Sequence, residues 1–416
     1  MATKRWVANA AYVTDLWTMF LSGTVTSQTF TITINGKTAT YVAGGGDTVA
    51  TVLAGLVTSF GASLNPEFAE LVASGVPAAG PFTSAILTGR SPGKPSVVTV
   101  STSGAATFTI ANTTAATGPT DFTNGQNWSG GSAPANNDTL VFDAGSTPCK
   151  YNIGSSLTGV TVNVNPGYSG TIGLPAINND SNSTYNEYRT TSLTLAGGTV
   201  IVNAPLVTRC NLAFGANTST VRVLNTGQRQ DQFVPVVLVI GGNASSELDI
   251  TKGDVGLAFY LGSTANFPVI RTSYASQPQS DAVLLCGEGT SLGLIYKNGG
   301  ILIVKCNMGS LIQGPLSGVT TVIEGLTTNT LDIQGGSLIY NSSGTITTLR
   351  LSNGAVANFD GDPRLMTITN TIQMYGDKAS IIDNQKRINT GALTVQLEYT
   401  NAVNIQHGVG SLVVMS

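Results

Sequence analysis

Apolar and polar residues alternate with a period of two over many short stretches of this chain, the pattern of strands with one buried face. Residues 29–40 read TFTITINGKTAT. Two alternating runs meet there at Asn35-Gly36, a dipeptide suited to the φ > 0 positions of a tight hairpin turn. Beyond Gly44-Gly45-Gly46 the period changes. Val49, Val52, Leu53, Leu56, Val57 and Phe60 recur at helical spacing, which predicts an amphipathic helix capped by Asp47 and ending near Gly61. Strand-like runs return at 68–73, 96–101 and 106–111. Together these predict a small N-terminal α/β domain of β-α-β-β order over residues 23–112, preceded by an apolar arm at 1–22 that is read either as a strand or short helix docked on the next domain or as a segment packed on a neighbouring subunit.

The pattern lapses over 113–149, where Gly, Pro, Asn and Ser dominate, and a strand signal resumes at Leu140, Val141 and Phe142. This stretch reads as a linker and solenoid cap. From about residue 150 the chain repeats itself. LTLAGGTVIV (193–202), LDIQGGSLIY (331–340) and LRLSNGAVAN (349–358) share one order of apolar, polar and Gly/Asn positions. The last two copies begin at Leu331 and Leu349, consecutive members of one series. A short strand, a Gly-rich corner and another strand, repeated at about twenty residues, is what a parallel β-helix requires. The fold class expected is therefore mainly β, with a β-solenoid body over 150–385 and a β tail over 386–416. Leu193, Leu195, Leu331, Ile333, Leu349 and Leu351 should face inward, and Gly197, Gly198, Gly335, Gly336 and Gly354 should form corners. A two-sheet sandwich is the structural rival, since it also has short strands at regular spacing.

Composition sharpens this picture. Asp, Glu, Lys and Arg make up only 10% of the chain, against about 25% in typical domains. At 41% hydrophobic residues, the chain can still bury a core and is not composed like a disordered one. The net charge of −3 and the lack of a basic stripe argue against nucleic acid as a partner. No apolar run is long enough for a membrane helix, and Asp15 interrupts the first apolar stretch, so neither a membrane partner nor a signal peptide is expected. Cys149, Cys210, Cys286 and Cys306 form no CxxC pair and read as small buried hydrophobes. The spacing of Cys286 and Cys306 is close to one repeat, so these two are expected to stack in adjacent coils.

Candidate chemistry is sparse. Asn358, Asp360 and Asp362 alternate like the first positions of a calcium loop, but Pro363 and Thr369 replace the Gly and Glu that such a loop needs. An Asx turn is the better reading. Asp180, Glu187, Asp377 and Asp383 show no spacing that defines an acid/base pair. His407 is the single histidine and has no nucleophile motif near it. The Gly-rich stretches 44–46 and 287–293 lack the spacing of phosphate loops. No catalytic residue, cofactor or metal is expected.

Two stretches carry a resemblance. TFTITINGKTATYVAGGGDTVATVLAGLV resembles small α/β modules of tailed-phage structural proteins. NWSGGSAPANNDTLVFD resembles the opening of bacterial and viral β-helical proteins, and GTIGLP (170–175) and YNEYRTTSLTL (185–195) look like phage and prophage structural sequences. The resemblance implies a virion structural protein without enzymatic activity, made in the host cytoplasm: a capsid decoration or a fibre or spike component. It implies attachment through the N-terminal part, partnership with major capsid or tail proteins, and a homotrimer. Trp6, Trp17 and Phe20 are the candidate interface anchors, because aromatics dominate interface energetics. A glycan-binding or glycan-degrading tailspike and a bacterial surface adhesin are the alternatives.

Overall fold

A computed structural model describes residues 1–75, 84–180, 183–229, 233–272, 282–315, 320–325, 327–376, 378–389, 391–398 and 410–415. The chain is mainly β, and its largest part is an extensive parallel sheet system. No described helix is long and apolar enough to cross a membrane.

From Thr139–Gly145 onward the strands fall into two parallel ladders, and the chain alternates between them. In the first ladder Val160–Tyr168 pairs with Gly198–Ala204, which pairs with Ser219–Thr226, and so on to Gly410–Met415. In the second, Leu193–Leu195 pairs with Cys210–Phe214 and then Val237–Gly241, reaching Ser380–Ile382. A strand therefore pairs typically with the next but one in sequence, not with its immediate successor, which excludes the hairpin-paired sandwich. The ladders begin at Thr139–Gly145 and run past residue 385, so the segment expected as a separate tail continues the first ladder through Gly391–Glu398.

The register explains the core. Leu140, Val162, Val200, Val221, Leu248, Ile270, Ile295, Leu311, Leu331, Leu349 and Ile372 stack directly on one another, one per coil. All are essentially inaccessible to solvent. The two-residue pleat then places Arg222, Asp249 and Arg271 outside, where Arg271 Nη1 meets Glu247 at 2.9 Å and Asp249 at 3.2 Å. Leu331 faces Leu349 in register, as the repeat predicts. Leu193, Leu195, Ile333 and Leu351 are also buried, and the glycines proposed as corners lie at the bends between strands or at a strand's first residue. Residues 331–340 and 349–358 cross from the first ladder to the second, whereas 193–202 crosses from the second to the first. An alternating apolar pattern specifies an inward face but not which wall carries it.

The sequence spacing between stacked residues varies widely. The shortest step in the stack runs from Ile295 to Leu311 and the longest from Val162 to Val200. That longest coil carries the hairpin of Ile177–Asp180 and Ser183–Asn186. Cys286 pairs with Val304, not with Cys306, because the coil between them is slightly shorter than the cysteine spacing and Cys306 falls just past the strand. All four cysteines are free and buried, and burial pushes the Cys210 and Cys306 thiols up to about 12.

The start of the ladder interior is closed by aromatics. Trp128 meets Trp6 at 5.1 Å, Phe122 at 5.4 Å and Phe142 at 5.6 Å between ring centroids, in edge-on arrangements. Asn127, fully buried, donates to the Gly118 and Asp121 carbonyls and accepts from the Ala10 amide. Residues 113–149, expected as a linker and cap, contribute Phe122, Trp128, Leu140 and Phe142 to the body's core.

The N-terminal region has a separate hydrophobic cluster. Leu16–Ser22 lies between Ser84–Gly89 and Thr107–Thr114 in a four-stranded antiparallel sheet completed by Leu71–Gly75. Lys37–Val42, Thr29–Ile34 and Thr99–Thr102 form a second, three-stranded sheet. Asn35 and Gly36 both have positive φ, at 51° and 71°, as the hairpin signal requires. The helix Val49–Gly61 buries Val52, Leu53, Leu56 and Phe60. Its cap is Thr48 in a reciprocal box with Thr51, while Asp47 accepts from the Gly44 amide at 2.7 Å and from the Tyr41 hydroxyl. Where a strand is expected at 68–73, Pro66–Glu70 forms a 3-10 turn that seats Phe68 on Phe60, and the strand is Leu71–Gly75. Residues 1–22 dock as strands within their own chain, the first of the two readings: Thr3–Arg5 pairs with Thr139–Gly145 at the start of the first ladder, and Leu16–Ser22 is a central strand.

A charged junction ties this region to the long coil. Glu70 meets Lys94 at 2.5 Å, accepts from the Tyr188 hydroxyl at 2.9 Å, and contacts Arg189 and Tyr185. Arg189 also pairs with Glu187 at 2.9 Å. Burial works to raise the Glu70 carboxyl, but Arg189, Lys94 and Tyr185 together hold it below its ordinary value.

Candidate functional site

The three residues expected as interface anchors separate in the structure. Trp6 is buried in its own chain's aromatic closure, with its indole N–H donated to the Thr147 carbonyl, and cannot anchor a second chain. Trp17 is half-buried, and its indole N–H is donated to Asp15 and Ser96. The Asp15 carboxylate is buried and takes further donors from the Ser96 amide, the Asn112 side chain and the Ala116 amide. Phe20 alone remains on the surface, 48% exposed on the open side of its sheet. Apolar character in the first residues predicts burial correctly and its location wrongly.

The acids of NFDGD are held in turns. Asn358 accepts from the Asp360 amide at 2.8 Å, the expected Asx geometry, and Asp362 accepts from the Arg364 amide and guanidinium. Arg364 holds the Asp362 carboxyl down at about 2. Asp383 is buried and accepts from the Arg387 and Ile388 amides, while Arg387 donates across coils to the Tyr340, Ser342 and Arg364 carbonyls. Glu187 serves the charged junction, and Asp180 ends a hairpin strand. In 287–293, a side chain at Gly287 or Gly289 would collide with the backbone of the neighbouring coil, so these glycines allow coils to approach closely. His407 and Asp377 lie outside the described residues. Among the described residues, no three His, Cys, Asp or Glu side chains converge at metal-binding spacing.

The site missed by sequence reasoning is a groove on the outer side of the second ladder. Its central cavity, of about 220 Å³, is lined by residues of successive coils. Asn211 and Leu238 stand in register on adjacent strands and form its floor. Leu238 is followed in register by Gly256, where a side chain would crowd Pro235, Leu238 and Phe259. Pro175, Ala176 and Ile177 of the long coil and Tyr260 of the turn after Gly253–Leu257 complete the lining with Arg209. Burial pulls the Arg209 guanidinium below the ordinary arginine range, and the nearby Tyr260 hydroxyl opposes that pull. Asn211 donates to the Leu174 and Thr191 carbonyls at 2.8 and 3.1 Å, but its Oδ1 accepts no hydrogen bond among the described residues.

Flanking cavities extend the groove. One of about 500 Å³ shares Pro175, Ile177, Thr208 and Arg209 and adds Lys150, Tyr151, Asn178 and Asn179. Another of about 450 Å³ shares Tyr260 and adds Lys305 and Glu288. Among the described residues the three linings hold a single carboxylate, Glu288, so no acid/base pair of the glycosidase kind lies along them. The linings place cations among amides, hydroxyls and apolar walls. The one signal in the sequence is Phe259-Tyr260, an aromatic pair beside a Gly-rich turn in a chain poor in aromatics.

Neither a protein-family model, nor a curated protein, nor a solved structure matches the chain.

Proposed function

We propose that the two ladders are walls of one β-solenoid and that the protein is a structural, non-catalytic one. Its place is in a tailed-phage virion, as a capsid decoration or a fibre or spike component. The observation that carries the solenoid reading is the register: one aliphatic residue per coil, stacked from Leu140 to Ile372, with the chain passing between the ladders at each turn. Such a stack is a stiff rod whose length grows with coil number, a form suited to projection and not to closing around a substrate. The N-terminal region, with its own cluster and a surface Phe20, serves as a small α/β attachment domain, and three chains associate through it.

Support for the virion role comes from the resemblance of residues 29–57 and 127–143 to phage and β-helical proteins. These same residues build the hairpin, the helix and the aromatic closure. Mass measurement of the purified protein together with labelling of intact particles tests the reading. Trimers located on particles are expected, and a monomer absent from particles overturns it. A tailspike role is the second reading, favoured by the groove beside Arg209; it requires particle-borne glycan binding, and cleavage is not expected of it.

A further inference from the structure

We propose that the groove across the second ladder is a binding site for an acidic oligosaccharide, a chain of sugar units carrying carboxylates, wherever the protein is assembled. Its shape is the first argument. Three cavities share lining residues in sequence, through Arg209 on one side and Tyr260 on the other, so together they make an elongated trough and not an isolated pit. A chain-like ligand fits such a trough.

Chemistry is the second argument. A sugar presents an apolar C–H face and a rim of hydroxyls that both donate and accept. Tyr260, 40% exposed, and Pro235 offer apolar surface to the first. Asn179, Ser169 and Thr208 offer hydrogen-bonding groups to the second. Asn211 closes the cavity floor: it is 4% exposed, and its amide nitrogen is held by the Leu174 and Thr191 carbonyls.

Charge is the third argument. Arg209 lies at the overlap of two cavities with Lys150 to one side; on the other side Lys305 is paired with Glu324 at 3.6 Å, and the single described lining carboxylate, Glu288, stands at that far end. A planar guanidinium is matched to a carboxylate, which it can engage with two parallel hydrogen bonds. Single-stranded nucleic acid, with a phosphate on each unit, calls for a denser track of cations than three in so long a groove.

The experiment titrates the full chain calorimetrically with a short oligogalacturonate, its methyl ester, a neutral dextran oligomer and inorganic phosphate. The acid is expected to bind roughly tenfold or more tightly than its ester, as a charge-assisted contact implies. Arg209→Gln should erase that preference and leave the weak binding of the ester, while Tyr260→Ala should weaken both. Three results overturn the proposal: no binding of oligogalacturonate at millimolar concentration, equal affinity for acid and ester, or displacement of the oligosaccharide by phosphate at matched concentration, which marks a simple anion site. Should Arg209→Gln lower the melting temperature, Tyr260→Ala at the exposed rim decides alone, and unchanged affinity there refutes the site.

Discussion

The parallel body and the antiparallel N-terminal region both bury aliphatic and aromatic side chains, but they connect them differently. In the body each inward residue touches its equivalents in the coils before and after, so the core is a file of near-identical contacts. In the N-terminal region Met19, Phe30, Leu53, Phe60 and Leu87 come from distant parts of the sequence and meet once. The first arrangement makes stability nearly a sum over neighbours; the second makes it all-or-none. The junction of Glu70 with Arg189 joins the parallel body to the N-terminal region.

The largest expected effect lies at the start of the ladders. Trp128→Ala removes the ring that contacts Trp6, Phe122 and Phe142, and should cost about 3–5 kcal/mol. Calorimetry should show the body's transition falling while that of the N-terminal region stays in place. A single transition that shifts as a whole would show the two regions to be one cooperative unit.

Next comes a matched pair of substitutions. Leu331→Ala and Leu53→Ala each delete a fully buried side chain and should cost about 2–5 kcal/mol. Their reach should differ. Hydrogen exchange after Leu331→Ala should speed up in the paired strands Met308–Gln313 and Thr345–Ser352 and leave Val160–Tyr168 protected. After Leu53→Ala the loss of protection should spread evenly through both N-terminal sheets. Equal spread in the two variants would erase the distinction.

How much of this contrast is legible in the sequence depends on the same physics. In the body, the two-residue pleat and the Gly-rich bends act locally, so Leu331 aligns with Leu349 in the bare sequence, and the register agrees. The hairpin at Asn35-Gly36 and the apolar face of the helix are local for the same reason. Which wall residues 193–202 occupy depends on the summed lengths of preceding coils, which no single stretch encodes. Trp6 and Leu16–Ser22 read as an arm because their partners, Trp128 and Thr107–Thr114, lie far along the chain. The groove is hidden for a like reason: Arg209, Asn211, Pro235 and Tyr260 converge only after three coils are stacked.

The junction should respond to acid. The folded Glu70 carboxyl lies below its unfolded value of about 4.3, so its contribution is complete above that pH and disappears as pH falls through the lower folded value. Arg189→Met leaves Lys94 as the remaining cationic partner, beside the Tyr185 and Tyr188 hydroxyls, and should cost about 1.5–3 kcal/mol. It should also shrink the acid-dependent part of the stability. The same slope in wild type and variant at low pH would assign it to other carboxylates.

A buried polar break in the file of contacts offers a smaller effect of opposite sign. Beside the aliphatic column, Ile250 is followed in register by Thr272, Lys297 and Gln313 before Ile333 resumes the apolar run. Thr321 reaches across from the second ladder and donates to Gln313 at 2.6 Å, and Lys297 donates to the same oxygen at 3.3 Å. Burial lowers the Lys297 amine to about 6. The unfolded chain therefore binds more protons than the folded one between about pH 6 and 10.4, and stability should rise with pH across that window. Lys297→Met should flatten the rise and stabilise the body by about 1–2 kcal/mol at neutral pH. Chemical denaturation at several pH values reads both, and an unchanged slope would place the proton elsewhere.

The smallest effect on folding is expected at Phe20, and it tests the proposed division of labour most directly. Phe20 and Met19 are neighbours on one strand, yet the pleat sends Met19 into the N-terminal cluster and Phe20 to the open side. Phe20→Ser should therefore alter stability by no more than about 0.5 kcal/mol, the usual range for a surface position. Met19→Ser should unfold the region. If chains associate through the open side of this sheet, Phe20→Ser should weaken that association while leaving the melting temperature of the isolated chain in place. Sedimentation at several concentrations separates the two quantities. Unchanged association in Phe20→Ser would move the contact to another surface of the N-terminal region, or to the body, whose own edges would then have to supply it.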